Sequence, residues 1–460
     1  MDAPPDLPPD LAASWLAARL TDPGMRGIAR GVCELIRRGE VAVGTRLPPV
    51  RELALALGVS PATVSAAWTE LRRLNLVAGR GRNGLRVSGR RAGPHPLRFT
   101  STGRFLDGVL DLTLAVPDPA LLPPLAPALA RAGAAEGLNQ YERIAILPHL
   151  EQVLRRDWPC PAQAFLAVDG GYDGVRVALR ALLLPGSRVA VEVPTALRLL
   201  DIVEESGAVI VPVACDAEGP RPDSLAEALA QRVAAFLFQP RTHSVTGLTR
   251  SRARLDALAD LLLGHDVLVI EDDGLGDLSP VPPQSLGSGL GGQVVHIRSF
   301  SKPYGPDLRL AAVSATREAV ERMQGVRAFG GGWTSRLLQE TAALLLEDPA
   351  TEAVLVRARQ VYARRRLALC AALAARGIGA GLAGEGLCVW LPVREESFAL
   401  VSFAAHNIAV MPGSKCAPVP IAPHVRIATS LLRAHYEEVA EVAAMVHPGV
   451  RPGTLAAGGG

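Results

Sequence analysis

From about Asp107 onward, the sequence alternates short apolar, β-branched runs with longer stretches of helical periodicity. The runs show no regular polar alternation, which is typical of strands that are buried on both faces. Such strands, separated by helices, predict a largely parallel sheet that is covered by helices and binds ligands at the carboxyl ends of its strands. The predicted strands are AFLAV from position 164, RVAVEV from 188, AVIVPVA from 208, AAFLF from 234, VLVIEDD from 267, VVHIRSF from 294 and AAVSA from 311.

The domain organisation follows from changes in composition along the 460 residues. At roughly 150 residues per domain, this length suggests two or three domains. From about 360 to 447, helix and strand signals indicate a smaller α+β lobe at the end of the chain. The fold class is therefore multidomain α/β. We predict a flexible leader over residues 1–23, a basic domain over 24–88, a linker rich in Gly, Pro and Arg over 89–106, a large domain over 107–451 and a disordered tail over 452–460.

Several classes of protein are excluded by composition. The apolar stretches are interrupted well before the ~20 residues that a membrane span needs. The N-terminal MDAPPDLPPD is acidic and proline-rich, unlike a signal or transit peptide. The six cysteines are widely scattered, and the histidines show no metal-ligand spacing. These features predict a cytoplasmic protein without a membrane contact or a metal site.

The net charge of +3 conceals a strong local imbalance. Between Gly24 and Arg91 there are 13 Arg and only four acidic residues, which gives this segment a charge of +9. The rest of the chain is acidic overall. A basic module attached to an acidic body predicts a polyanion as the partner of that module alone.

The basic module has the pattern of a helix-turn-helix followed by a hairpin. The apolar face of its first amphipathic helix carries Ile28, Val32, Leu35 and Ile36. The next segment predicts a helix over 50–57, a turn at Gly58 and a second helix that Ser60 caps, with Pro61 in the first helical position. Two short helices joined by a glycine turn form a helix-turn-helix. The basic run GRGRNGLRV, which starts at position 79, has the character of a wing beside it.

These segments resemble the GntR-type winged helix-turn-helix, through GTRLPPVRELALALGVSPATVSAAWTEL and the wing GRGRNGLRV. The resemblance implies that the module binds double-stranded DNA. Pro61 and Ala62 depart from the polar or basic residues common in the family, so we expect fewer direct base contacts. The resemblance assigns phosphate or base contacts to Arg51, Ser60, Thr63 and Ser65, and a minor-groove approach to Arg80, Arg82 and Gly84.

Lysine is almost absent from this chain, because its 48 basic residues include only Lys302 and Lys415. Arginine stays protonated and cannot form an imine with an aldehyde, whereas a desolvated lysine can. Lys302 follows a predicted strand in VVHIRSFSKPYGPDLRLAAVSA, a segment that also contains Ser299 and Arg309. Lys415, in MPGSKCAP, is interpreted as a solvated loop lysine.

The segment around Lys302 resembles the signature of fold type I pyridoxal phosphate enzymes, the aspartate aminotransferase superfamily. By this resemblance Lys302 forms the internal aldimine, and Ser299 and Arg309 hold the cofactor phosphate. Arg426, in HVRIATS, matches the family's ligand for the carboxylate of an amino acid. The other implied contacts are Asp272 at the pyridine nitrogen, the backbone N–H groups of Gly171, Tyr172 and Asp173 at the phosphate, and Tyr141 at the phosphate of the neighbouring subunit.

Several positions depart from the aminotransferase pattern. Gly274 replaces a tyrosine that bonds the phenolic oxygen of the cofactor, and Ala196 replaces the aromatic residue that stacks on its ring. Ser244 stands in place of an asparagine as a candidate cofactor ligand, and Ile146 replaces a glycine. Because groups that tune the imine are missing, we expect cofactor binding without efficient transamination. Tyr172 is either a substitute ring contact or a packing residue.

A GntR-like winged helix followed by an aminotransferase-like fold type I domain resembles the MocR subfamily of bacterial transcription regulators. The resemblance implies a homodimer whose large domain senses pyridoxal phosphate, an amino compound, or both, and whose DNA-binding heads respond. Two other interpretations remain open. One is a working pyridoxal phosphate-dependent aminotransferase with an incidental basic head, and the other is a DNA-binding protein whose large domain is a cofactor-free dimerisation scaffold.

Overall fold

The computed structural model describes residues 10–37, 39–73, 76–79, 84–88, 98, 108–379 and 384–449. The chain divides into two compact units, Met1–His95 and Pro96–Gly460. The boundary between them falls inside the predicted linker, residues 89–106.

The first unit contains a helix-turn-helix and a two-stranded hairpin, as the sequence predicts. Gly58 ends the third helix with a φ of 65°, the left-handed conformation that favours glycine. The Ser60 hydroxyl accepts a hydrogen bond from the Thr63 amide at 3.2 Å and thereby caps the fourth helix. The elements are α1 (Ala13–Ala17), α2 (Met25–Arg37), α3 (Val50–Leu57), α4 (Pro61–Arg73), and the antiparallel strands β1 (Val77–Ala78) and β2 (Arg86–Val87).

Residues 10–20 pack against this unit, which differs from the flexible leader expected for residues 1–23. Leu16 in α1 is fully buried, at 0% exposed, and Leu20 packs on the same core. The Leu11 amide donates a hydrogen bond to the Arg46 carbonyl at 2.9 Å. The apolar residues of this short segment pack on the core of the first unit, and the sequence analysis did not predict this packing.

All seven predicted strands of the second unit form. Among the described residues, eight strands make the large sheet, in the order β4-β11-β10-β9-β8-β5-β6-β7. From β10 to β6 the strands run parallel, whereas β11 is antiparallel to both of its neighbours. The sheet is therefore largely parallel, as predicted. In chain order the strands are β3 (Leu110–Leu112), β4 (Ala164–Val168), β5 (Arg188–Val193), β6 (Val209–Asp216), β7 (Gly219–Pro220), β8 (Ala235–Phe238), β9 (Leu268–Asp273), β10 (Val294–Ser299) and β11 (Ala311–Ala315).

Helices cover both faces of the large sheet. Alternate residues of β8 point to opposite faces, so that Leu237 packs in one apolar core while Phe236 and Phe238 pack in another. Burial on both faces explains the unbroken apolar runs of the sequence. The helices are α5 (Ala126–Ala132), α6 (Pro148–Leu154), α7 (Gly171–Leu182), α8 (Leu197–Glu205), α9 (Pro222–Ala230), α10 (Arg252–Leu262), α11 (Gly287–Leu290), α12 (Arg317–Arg327) and α13 (Arg336–Glu347).

The small lobe combines the C-terminal segment with β3 from the start of the unit. Its sheet has the order β12-β14-β13-β3, with β3 parallel to β13. The predicted range of about 360–447 lacks β3 and the first turns of the helix Pro349–Ala374. This helix begins before residue 360 because Asp348 caps it, accepting hydrogen bonds from the Ala350 and Thr351 amides at 3.1 Å. The further elements are α14 (Pro349–Ala374), β12 (Cys388–Pro392), α15 (Glu396–Ala405), β13 (Ile408–Pro412), β14 (His424–Ala428) and α16 (Tyr436–Val446).

The part of the chain that the structure describes contains no helix with the length and apolar character of a membrane span. The 26-residue helix α14 carries arginines at positions 357, 359, 364, 365 and 366. Within the same ranges, no group of three or more His, Cys, Asp or Glu side chains is placed to hold a metal ion.

Candidate functional site

The ends of two neighbouring strands and the start of a helix meet at one edge of the large sheet. Asp272 lies near the end of β9, Ser299 ends β10, and Gly171 begins α7. A Cβ placed on Gly171 would lie 3.2 Å from the Ser299 Cβ and 3.5 Å from Asp272 Oδ1. The structure thus brings together three residues that the sequence assigns to one site.

Arg309 lies beside the same glycine turn. Its Nη2 donates a hydrogen bond to the Asp169 carbonyl at 2.7 Å, and a Cβ on Gly170 would lie 3.2 Å from the same nitrogen. Gly170 has a φ of 106°, a conformation that favours glycine, and it turns the chain into α7. The Arg309 guanidinium, the Ser299 hydroxyl and the N–H groups at the start of α7 therefore form a cradle suited to a phosphate-like dianion.

Asp173 stabilises this turn through its side chain. Its Oδ2 accepts from the Asp169 amide at 3.2 Å, and its Oδ1 accepts from Arg176 at 2.7 Å. Arg327 adds an ion pair to the same carboxylate at 3.3 Å. Because the carboxylate is engaged in this way, the predicted ligand role of Asp173 is confined to its backbone N–H.

Lys302 lies in the turn after β10, and its side chain reaches the end of β9. Its Nζ donates a hydrogen bond to the Gly274 carbonyl at 3.1 Å. Burial lowers the pKa of Lys302 below that of an ordinary lysine, while the charge of Asp272 opposes the shift. A lysine with a lowered pKa has the larger neutral fraction that reaction with a carbonyl group needs.

The Asp272 carboxylate is held by Gln239, which the sequence analysis did not single out. Gln239 Nε2 donates to Asp272 Oδ2 at 2.9 Å, and its Oε1 accepts from the Ser244 amide at 2.8 Å. Burial raises the pKa of Asp272, and the Gln239 hydrogen bond opposes the shift. Asp273 instead forms a buried ion pair with Arg241 and has a structural role. The position of Gln239 directly after β8 could have predicted its place in the site, because ligands bind where parallel strands end.

Tyr172 brings an aromatic ring to the first turn of α7. Its ring faces the guanidinium of Arg198, whose Cζ lies 4.7 Å from the ring centroid. Burial, with a contribution from the charge of Asp272, raises the pKa of Tyr172 to about 12. Ala196, only 5% exposed, packs in the same core as Tyr172. Tyr172 therefore packs with Ala196 in the apolar core beside the candidate site, and Arg198 is a neighbour that the sequence analysis missed.

Two buried polar atoms of the site, Arg426 Nε and Ser244 Oγ, have no hydrogen-bond partner among the described residues. Arg426 is 6% exposed, and its Nη2 donates to the Thr113 carbonyl at 2.5 Å. Its charge is close enough to Lys302 to contribute to the lowered pKa of that lysine. Since buried polar groups normally find a partner, these two atoms are candidates for hydrogen bonds to a ligand.

Tyr141 lies outside this cluster within one subunit. It is 89% exposed, and its ring packs edge-on against Trp333 with the centroids 6.1 Å apart. This exposure agrees with the contact to a neighbouring subunit that the family resemblance implies. Ile146, at the position of the replaced glycine, is a core residue with 6% exposure.

The candidate DNA contacts of the helix pair lie at its surface. Arg51 is exposed on α3, and Ser60 and Ser65 are exposed at the start of α4. Thr63 is half-buried, and its hydroxyl lies 2.9 Å from the Ser60 hydroxyl, so both hydroxyls take part in capping α4. The cap leaves the exposed face of α4 available to a partner.

Gly84, a wing residue, lies against the side chain of Arg46, which pairs with Asp10 at 3.5 Å. A Cβ placed on Gly84 would lie 2.4 Å from the Nε atom of Arg46, so the glycine allows a close approach of this guanidinium. Gly84 also has a φ of 66°. Arg80 and Arg82 lie outside the described residues.

Family models match both units of the chain. Residues 26–87 match the bacterial regulatory proteins of the gntR family, and residues 108–442 match aminotransferase class I and II. The two matches cover the predicted basic domain and the predicted large domain in the order expected.

Several relatives are named as transcription regulators, among them PtsJ and TauR. The chain is 34% identical to the vitamin B6 salvage pathway transcriptional repressor PtsJ of Salmonella typhimurium, over 78% of this chain and 83% of PtsJ. It is 29% identical to the HTH-type transcriptional regulator TauR of Rhodobacter capsulatus, over 77% of this chain and 80% of TauR. This chain belongs to the MocR subfamily of GntR-type transcription regulators. The MocR regulator thus combines a DNA-binding head with an aminotransferase-like domain.

Solved structures establish the fold of that large domain. Kynurenine aminotransferase of Pyrococcus horikoshii aligns with a TM-score of 0.66 at 20% identity, over 73% of this chain and 91% of the enzyme. Aspartate aminotransferase of Thermus thermophilus aligns with a TM-score of 0.65 at 23% identity, over 73% of this chain and 90% of the enzyme. At these identities the likeness concerns the fold and not the activity.

The aminotransferase fold family binds pyridoxal phosphate, and the residues of this MocR regulator fit that group. The two glycines of the turn allow Arg309 and Ser299, both anion-binding side chains, to lie directly against the start of α7. The Lys302 amine and the Asp272 carboxylate lie close enough for each charge to affect the pKa of the other. The unpaired Ser244 hydroxyl adds a free hydrogen-bonding group.

Proposed function

We propose that the large domain of this MocR regulator binds pyridoxal phosphate at Lys302 and senses the cofactor, an amino compound, or both. The observation that carries the proposal is the position of the Lys302 amine, beside the Asp272 carboxylate and hydrogen-bonded to the Gly274 carbonyl. In a chain with two lysines, a lysine of lowered pKa at the ligand edge of the sheet supports covalent capture of an aldehyde. The cofactor supplies that aldehyde on an electron-withdrawing ring.

In this proposal the glycine turn holds the phosphate. Arg309 offers a guanidinium and Ser299 offers a hydroxyl, and both flank the turn. The positive end of the α7 dipole favours a dianion at the same place. The backbone N–H donors at that end belong to Gly171, Tyr172 and Asp173.

Asp272 and Arg426 are assigned to two other parts of the bound ligands, the ring nitrogen of the cofactor and the carboxylate of the amino compound. Asp272, held by Gln239, stabilises a protonated pyridine nitrogen. Arg426 receives the carboxylate of an amino compound, and its Nε has no partner within the described ranges. Ser244 offers the cofactor a buried hydroxyl, and Tyr172 offers the aromatic contact that Ala196 cannot provide.

The proposal includes a homodimer. Tyr141, which is 89% exposed, is assigned to the phosphate of the neighbouring subunit. Trp333 packs on Tyr141, and Phe329, four residues earlier in the chain, is 97% exposed. Exposed aromatic residues are common at protein interfaces, which supports a second subunit at this surface.

The head is proposed to bind double-stranded DNA in the cytoplasm, under control of the large domain. The segment between Gly24 and Arg91 carries a charge of +9, which suits a phosphate backbone. PtsJ is named as a repressor of the vitamin B6 salvage pathway. That name supports a B6 compound as one ligand of this regulator.

The test measures DNA binding with and without the ligands. A duplex is selected from a random-sequence pool by the purified protein, and its affinity is followed by fluorescence anisotropy. Pyridoxal phosphate is added first, and individual amino acids are added next. We expect one of these additions to change DNA affinity by about fivefold or more, as is typical of allosteric coupling. Lys302→Arg should abolish this change and keep the DNA affinity of the ligand-free protein.

The rival functions give different results. A working aminotransferase would convert an added amino acid to its keto acid over many turnovers, with no change in DNA affinity. A cofactor-free scaffold would show neither a visible absorption band with pyridoxal phosphate nor a change in DNA affinity. Either result would overturn the proposal.

A further inference from the structure

Arg98, within the predicted linker, is bound by an acidic face of helix α8. Its Nη1 and Nη2 donate to the two carboxylate oxygens of Glu204, each at 2.8 Å, and Nη1 also donates to Asp201 Oδ1 at 2.9 Å. The Arg98 amide adds a hydrogen bond to Asp201 Oδ2 at 3.2 Å. Asp201 and Glu204 are three residues apart and therefore lie on one face of α8. Both the side chain and the backbone of Arg98 are held by this helix.

This contact differs from an ordinary surface ion pair. The Arg98 side chain is 20% exposed and the Asp201 side chain is 7% exposed. Burial raises the pKa of Asp201, and the hydrogen bonds from Arg98 oppose the shift. Exposed pairs contribute little, and the Glu204 side chain is 46% exposed. The bidentate contact with Glu204 is, however, combined with hydrogen bonds from the Arg98 guanidinium and amide to the buried Asp201 carboxylate, which together fix the geometry of Arg98. Removing Arg98 would leave Asp201 buried without its cation.

The opposite end of α8 borders the candidate cofactor site. Ala196 immediately precedes the helix, and Arg198 in its first turn lies over the ring of Tyr172. The Thr195 hydroxyl is buried without a partner in the described structure, and its amide donates to the Cys416 carbonyl of the small lobe at 2.8 Å. At about 1.5 Å per residue, the nine residues of α8 span about 13 Å. Helix α8 thus runs from the residues beside the candidate cofactor site to the two carboxylates that bind Arg98.

We propose that Arg98 is the positioning residue through which the ligand pocket controls the DNA-binding head, with α8 as the connecting element. The inference rests on the proposed function, because it requires a ligand in the pocket. A ligand beside Ala196 and Tyr172 favours one position of the first turn of α8, and the two carboxylates of the rigid helix move with it. Arg98 follows because it is bonded to both carboxylates, and it lies three residues after His95, the last residue of the first unit.

The experiment compares the full-length protein with its Arg98→Ala variant. DNA affinity is measured on the selected duplex with and without saturating pyridoxal phosphate, and the affinity for pyridoxal phosphate is measured separately by visible absorption. In the unmodified protein, we expect the ligand to change DNA affinity by about fivefold to 150-fold. In Arg98→Ala, we expect this ratio to fall to about twofold or less, while the affinity for pyridoxal phosphate stays unchanged.

Two further variants separate signal transmission from a structural role. Arg221→Ala is the matched control, because Arg221 also pairs with a carboxylate, that of Asp223, but both groups are largely exposed. This variant should keep the full ratio. In Arg98→Glu, pyridoxal phosphate should no longer change the DNA affinity. Combining Arg98→Glu with Glu204→Arg should restore part of this change. A purely structural Arg98 would change stability and leave the ratio intact.

The outcomes distinguish this inference from the proposed function. A full ratio in Arg98→Ala with normal cofactor binding would overturn the role of Arg98 and leave the proposed function standing. If the ligand does not change the DNA affinity of the unmodified protein, both the role of Arg98 and the proposed function are overturned. Loss of cofactor binding in Arg98→Ala, without restoration by the charge-reversed pair, would also contradict a transmitting role.

Discussion

The Lys302 amine donates a hydrogen bond to the backbone carbonyl of Gly274 at 3.1 Å. By the family resemblance, Gly274 stands where aminotransferase-like chains carry a tyrosine. A Cβ there would lie 3.2 Å from Asp272 Oδ2 and 3.6 Å from Gln239 Nε2, so polar groups already line this wall of the site. Under the proposed function, the site offers candidate groups for holding the cofactor and lacks the tyrosine that the resemblance leads us to expect, a combination that favours sensing over efficient catalysis.

Gln239 is predicted to set the affinity for pyridoxal phosphate through Asp272. Gln239→Leu removes a donor from a buried carboxylate whose pKa burial already raises. A lost hydrogen bond to a buried charge costs about 1.5–3 kcal/mol, so the dissociation constant should rise about 10-fold to 150-fold in an absorption titration. Gln231→Leu, at an exposed position, is the control. Equal affinities of the two variants would contradict this role of Gln239.

The lowered pKa of Lys302 predicts a specific pH dependence of cofactor capture. The amine reacts in its neutral form, so capture becomes faster as the pH rises through the pKa of Lys302. Because burial lowers that pKa, the rate should reach its plateau at a lower pH than for a free lysine derivative. Stopped-flow absorption over about pH 6–10 measures both profiles. If the capture rates of the protein and of the free lysine derivative level off at the same pH, the site does not lower the pKa of Lys302.

Leu16 is predicted to stabilise the DNA-binding head. Leu16→Ala removes a fully buried side chain from a helix that the sequence analysis assigned to a flexible leader. The cavity should lower the free energy of unfolding of the head by about 2–5 kcal/mol. Amide hydrogen exchange in α2 and α4 of the full-length protein reports the change. Leu55→Ala, at an 86% exposed position, should have little effect, and equal exchange in both variants would refute the packing of α1.

Arg51 is predicted to contact DNA phosphate or a base edge. It is exposed on α3, at the surface of the helix pair. Arg51→Ala should weaken binding to the selected duplex and reduce the slope of log affinity against log salt by about 1, because one counterion-releasing contact is lost. Arg252→Ala, which removes an exposed cation from the large domain, is the control. An unchanged salt slope in Arg51→Ala would remove this residue from the interface.

Most of the large sheet was predictable from sequence, because six of its eight described strands are apolar runs that are buried on both faces. β6 instead alternates buried and exposed residues, and β7 has only two residues and was not predicted. β3 was not predictable either, because Leu110–Leu112 is three residues long and pairs with β13, far along the chain. No local pattern encodes such a pairing. α1 was missed for a related reason, since its five residues form a helix that is stabilised by packing rather than by its own periodicity.

The candidate site was predictable where a single motif carries several residues. Ser299, Lys302 and Arg309 belong to one short segment, and Asp272 lies near the end of the neighbouring strand. Gln239 and Arg98 were missed because each acts through a contact with a helix or strand that is distant in sequence. A charge or an amide by itself gives no sign of its partner, so these roles required the three-dimensional structure.

The two lysines allow one direct test of the central claim, that the large domain captures pyridoxal phosphate at Lys302. The full-length protein is mixed with pyridoxal phosphate, the bond is made permanent with borohydride, and the modified residue is located by peptide mass spectrometry. Lys415 serves as the internal control, since it is the other lysine of the chain. We expect one phosphopyridoxyl group per chain, on Lys302. Modification of Lys415 or the amino terminus instead of Lys302, or no modification, would contradict it.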